Sequence, residues 1–123
     1  MTAVVQLAAH PDDSLPEVAI VSFTGELDYT NAEQLRQDVL GVLTPEHRHL
    51  IVDLSELPFC DSTGLRILLA LRSLIDDRGG TVALSGLQPR LNRIFKVTGL
   101  FQFFAVQPTV ADAVELLRPQ LPA

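Results

Sequence analysis

The sequence predicts a mixed α/β fold: a β-sheet opened by an antiparallel hairpin, with about four α-helices packed on it. Three observations lead there. Two short apolar segments, Val4 to Ala9 and Val18 to Thr24, flank the polar, proline-bearing stretch His10 to Pro16. That stretch is too short for a helix and reads as a hairpin turn. Strand-like and helix-like patterns then alternate to the end of the chain. Finally, 47% of the 123 residues are hydrophobic and 20% charged, which is too apolar for a disordered chain. The length suits one domain spanning residues 1–123.

After the hairpin, Gly25-Glu26-Leu27-Asp28 forms a turn leading into Thr30-Asn31-Ala32-Glu33, where Thr30 and Glu33 have capping-box spacing. The first helix buries Leu35, Val39 and Val42 on one face, and Pro45 stops it. Leu50 to Leu54 is a third strand, and Ser62 to Asp77 a second helix that closes at Gly79-Gly80. Thr81 to Leu84 is a fourth strand. Leu87, Leu91, Ile94 and Phe95 mark a third helix ending near Gly99. Phe103 to Val106 is the last strand, and Thr109 caps a fourth helix carrying Val110, Val114 and Leu117. The parallel connections are expected to be right-handed.

The second helix repays closer reading, because it follows a strand directly. A step of about 100° per residue puts Ile67, Leu68, Ala70, Leu71, Leu74 and Ile75 toward the sheet. The other arc holds Arg66, Arg72, Ser73 and Asp76, with Leu65 and Leu69 among them. Ser62 projects outward and Thr63 toward the core. Backbone N–H groups stand unpaired at the first turn, and the helix dipole favours negative charge there. A hydroxyl at that place serves as a cap or receives a phosphate, and Ser62 is the reachable one.

Bulk charge limits the partners. A net charge of −6 argues against direct nucleic-acid binding, since no basic stripe is evident, and would suit a basic protein partner. The apolar runs are too short to span a bilayer, and the N-terminus lacks a basic region followed by an apolar core, so a cytoplasmic location is expected. The single cysteine, Cys60, excludes an internal disulfide and reads as a small buried hydrophobe. His10, His47 and His49 have no metal-ligand spacing, and no cofactor motif occurs. Phe101, Phe103 and Phe104 read as core and strand residues.

Taken together, Gly25-Glu26-Leu27-Asp28, Asp53-Leu54-Ser55 closing a strand, and Phe59-Cys60-Asp61-Ser62-Thr63-Gly64-Leu65 resemble the STAS domain. More narrowly they resemble the bacterial anti-sigma-factor antagonists, over nearly the whole chain. The resemblance implies a protein that binds an anti-sigma factor and frees the sigma factor. The anti-sigma factor is often also a serine kinase, which would phosphorylate Ser62 and end the interaction, and a phosphoserine phosphatase would reset it. With the helix phase, it marks Gly25, Asp28, Asp61, Thr63, Gly64, Leu65, Arg66 and Leu69 as the partner surface. Arg66 departs from the pattern, since many members carry a small residue there.

Other readings of the same residues stand beside this one. Asp61 and Ser62 are both good N-cap residues, and Gly25 and Asp28 suit a turn without any partner. A receiver domain phosphorylated on Asp53, with Ser85 after a later strand, is a rival. Against it, Asp12 and Asp13 fall in the hairpin turn and Lys96 in the third helix. A STAS scaffold or regulatory subunit of a stress-sensing or transporter complex keeps the fold and changes the job. No catalytic activity is expected: Asp61-Ser62-Thr63-Gly64 lacks the aspartic-protease spacing, and no nucleophile elbow is present.

Overall fold

The computed structural model describes residues 3–122. Strands β1 (Val5–Ala9) and β2 (Val18–Leu27) form the antiparallel hairpin, with Val5 opposite Gly25 and Ala9 opposite Val21. Helix α1 (Ala32–Val42) leads to β3 (His49–Cys60), and α2 (Ser62–Asp77) to β4 (Val82–Ser85). Helix α3 (Pro89–Thr98) and a 3-10 turn at Leu100–Gln102 precede β5 (Ala105–Gln107). Helix α4 (Val110–Leu117) and a second 3-10 turn, Arg118–Gln120, follow. The five strands lie in the order β1-β2-β3-β4-β5, and every pair after the hairpin is parallel. The expected mixed sheet with four helices is the fold.

Alternation along the strands sends side chains to two faces. Val21, Phe23, Val52, Leu54 and Leu84 meet the apolar sides of α1, α2 and α3, among them Leu35, Val39, Leu71 and Phe95. Ile20, Ile51 and Ala83 meet Ala113 and Leu117 of α4 on the other face. Three helices therefore cover one side and a single helix the other. Among the described residues, no helix is long and apolar enough to cross a membrane.

Several elements differ from the sequence reading. The third strand does not stop at Leu54 but continues to Cys60, because β2 continues beside it as far as Leu27. Gly25-Glu26-Leu27 is therefore the end of β2, and Asp28 begins the loop. The ladder shifts register twice between Ser22 and Glu26, and such an irregularity accommodates Pro58, which has no N–H to give. The capping box of Thr30 and Glu33 does not form. Asn31 is the residue before α1, Thr30 donates to Asp28, and Glu33 pairs with Arg36 at 2.7 Å. Val42 is half-buried. Leu87 precedes α3, which starts at Pro89, and the last strand begins at Ala105. Phe104 is buried, but Phe101 and Phe103 are exposed at 37% and 46%.

Candidate functional site

The parallel pairing of β2 with β3 brings two loops to one end of the sheet. Leu27 and Cys60 are register partners, and the Asp61 N–H donates to the Leu27 carbonyl at 3.1 Å. The Asp61 carboxylate then ties both loops. Its Oδ1 accepts the Gly64 N–H at 2.9 Å, which caps α2, and its Oδ2 accepts the Tyr29 N–H at 3.0 Å. The Gly64 end of this clamp is a local cap, but the Tyr29 end is not, for Tyr29 lies thirty-two residues upstream. The loop before α1 is fixed from its other side by Asp28 and Asn31. Asp28 Oδ1 accepts the Thr30 N–H at 2.9 Å, and Asn31 Oδ1 accepts the Asp28 N–H at 3.0 Å. The Asn31 Nδ2 donates to the Glu26 carbonyl at 2.8 Å.

Ser62 is the first residue of α2 and is exposed, with Thr63 half-buried beside it. Asp61, not Ser62, is the cap, so the Ser62 hydroxyl is not occupied in closing the helix. Among the described residues, the Ser62 and Thr63 N–H groups have no protein acceptor. Down the helix, Ile67, Leu68, Leu71 and Ile75 are buried, and Arg66 is exposed. Leu65 and Leu69 are half-buried and pack against the core edge. Two positions correct the expected phase. Ala70 is exposed and Leu74 only half-buried, because the buried arc centres on Gly64, Leu71 and Ile75, about 20° to 40° from where it was placed.

Two of the marked residues act through the backbone. Gly25 has φ +100°, and a Cβ there would lie 2.2 Å from the Val4 carbonyl oxygen, where Glu26 N–H also donates. Gly64 is buried, and a Cβ on it would meet Cys60 Sγ at 2.6 Å and Leu27 Cγ at 2.8 Å. A bare backbone there lets α2 start flush against the sheet. Burial, with Asp61 adding to it, pushes the Cys60 thiol up to about 12. It is protonated and inert at neutral pH.

Tyr29 and Asn31 escaped the sequence reading. Tyr29 is 76% exposed in the loop that Asp61 holds. An aromatic inside the polar run Asp28-Tyr29-Thr30-Asn31 was the available signal. Asp53 belongs elsewhere. It sits within β3, which runs on to Cys60, and its Oδ1 accepts the Ser55 N–H at 3.0 Å. It is not the strand-ending carboxylate that a receiver domain requires, and Ser85 beside it is fully buried.

The architecture just described can be set against known proteins. Residues 11–113 match the family model of the STAS domain. The chain belongs to the STAS family. Its STAS domain is 31% identical over 103 residues to the anti-sigma-F factor antagonist RsfB of Mycobacterium tuberculosis, an alignment covering 82% of each chain. It is 29% identical over 98 residues to the anti-sigma F factor antagonist of Paenibacillus polymyxa, covering 79% of this chain and 84% of that one. The crystal structure of an anti-sigma factor antagonist from Mycobacterium paratuberculosis matches with a TM-score of 0.81 and 30% identity. That match covers 94% of this STAS chain and 95% of the other.

Proposed function

We propose that this STAS protein is an anti-sigma-factor antagonist: it binds an anti-sigma factor, frees the sigma factor, and is released when Ser62 is phosphorylated. The observation that carries the reading is the exposed Ser62 hydroxyl on the first turn of α2, left uncapped because Asp61 takes the cap. The names of the relatives support the partner class. The partner surface comprises the Asp28–Tyr29 loop, Ser62, Thr63, Arg66 and the half-buried Leu65 and Leu69, with Asp61 holding the loop and helix in register. Gly25 and Gly64 shape this surface from beneath.

The physics of release is local. Phosphate adds about −1.5 to −2 charges at neutral pH and three acceptor oxygens. The helix dipole and the free N–H groups accommodate it, so the fold need not change. A docked protein would have to cover that charge beside the Asp61 carboxylate, and an uncompensated charge in an interface costs about 2–5 kcal/mol. Some ~2.7 kcal/mol already corresponds to a hundredfold loss of affinity. Exclusion at one hydroxyl therefore suffices. The protein acts by binding and has no catalytic role; a kinase, which the anti-sigma factor itself can supply, and a phosphoserine phosphatase set its state in the cytoplasm.

Incubation with candidate anti-sigma kinases and ATP, followed by mapping of the modified residue, tests the reading. The label is expected on Ser62 and absent from Ser62→Ala, which keeps its binding. Label on Asp53, recognised by its loss in hydroxylamine, would overturn it.

A further inference from the structure

We infer that the outer face shared by α2 and α3 docks an acidic segment of the protein partner. Although the chain is acidic overall, its charges are segregated. Residues 62–111 carry six of the nine Lys and Arg residues but only two of the fifteen Asp and Glu, both at the far end of α2. Arg66 on α2 and Arg90, Arg93 and Lys96 on α3 are all exposed. Among the described residues, no carboxylate lies within ion-pair reach of these four.

Folding alone gives no reason for this arrangement. Arg90, Arg93 and Lys96 recur every third residue, so like charges stand side by side on one stripe of a ten-residue helix. Arg90 is in the first turn of α3, where the dipole disfavours a cation, and that turn has no acidic residue. Two cations on these helices also rest on aromatic rings that border the face. The Arg90 guanidinium lies 5.4 Å from the centre of the Phe59 ring, three residues before Ser62. Arg72 of α2 lies 5.3 Å from the centre of the Phe103 ring, just beyond α3. Apolar Leu65, Leu69 and Val97, the last 78% exposed, interleave with the cations. A mixed cationic and apolar face fits a peptide bearing both acidic and apolar side chains better than it fits a phosphate polymer, which the acidic remainder of the molecule repels.

This inference extends the antagonist reading, on which it rests for the partner being a protein, and names the chemistry of that partner's surface. It also links the two sites. Ser62 and Arg66 are one turn apart on the outer stripe of α2, so a phosphate on Ser62 would offset the cation an acidic partner needs.

The test needs no anti-sigma factor. The full chain is titrated with a synthetic amphipathic peptide of glutamate and leucine while backbone amide shifts are followed. The expected shifts centre on residues 62–69 and 89–97, and affinity falls as salt rises from about 50 to about 200 mM. Arg90→Glu/Arg93→Glu should lose about tenfold or more in affinity with an unchanged or raised Tm, whereas Arg118→Gln, in the turn after α4, should bind as the unmodified chain does. Shifts centred elsewhere, no loss in the double variant, or tighter binding to a DNA duplex or to phosphatidylglycerol vesicles than to the peptide would overturn the inference. Failure of Ser62 to take phosphate from any anti-sigma kinase would instead count against the antagonist reading and leave these shifts unaffected.

Discussion

At Asp61 one carboxylate does two jobs, capping α2 through Gly64 and holding Tyr29 across the gap between loops. Asp61→Ala should therefore cost about 1–3 kcal/mol in urea unfolding, more than a lone cap, because both N–H groups lose their acceptor. Asp61→Asn, which keeps an oxygen for one of the two bonds, should lose less; equal losses would mean that the bond it keeps contributes nothing. The sequence showed a capping residue here but not which of two, since Asp and Ser serve equally well in isolation. Contacts to Leu27 and Tyr29 break the tie, and those cross more than thirty residues of chain. Asn31 was illegible for the same reason: it replaces an expected local capping box with bonds to Asp28 and Glu26.

Among the elements, α2 was read with the right ends and nearly the right face. Its bounds are marked by Asp61 and by Gly79-Gly80, whereas its phase is set by what it packs on. The near-miss at Ala70 and Leu74 follows from treating all apolar residues as inward-facing, although Gly64 claims the centre of the buried arc. Leu71 is fully buried and Leu69 half-buried, so Leu71→Ala should cost about 2–5 kcal/mol and Leu69→Ala clearly less, measured by denaturant unfolding. Partner affinity should respond in the opposite order. Strand β3 was read too short because Ser55, Glu56 and Pro58 look like loop residues; pairing with β2 overrides that preference, as sheet context often does.

For the whole molecule, the order of strand and helix patterns was enough to place a hairpin before a parallel sheet. What it left open was the division of helices between the two faces, which depends on packing. One further property belongs to this scale. His49 is fully buried at the start of β3, and its Nδ1 accepts the Thr81 N–H at 3.0 Å, so the neutral ring carries its hydrogen on Nε2. Burial, helped by Arg48 and opposed by Glu17, holds its pKa below the ordinary 6.5. Protonation would also put a hydrogen against Thr81. The unfolded chain then binds the proton more readily, so stability is full above pH 6.5 and falls as the pH drops below it. Thermal melts across that range should show this slope, and His49→Asn should flatten it.

The most direct measurement compares the unmodified chain with the chain phosphorylated on Ser62, by calorimetric titration against the same anti-sigma factor. Loss of affinity by about a hundredfold or more, with the Tm of the phosphorylated protein retained, is the expected result. Equal affinity for the two forms would contradict the account.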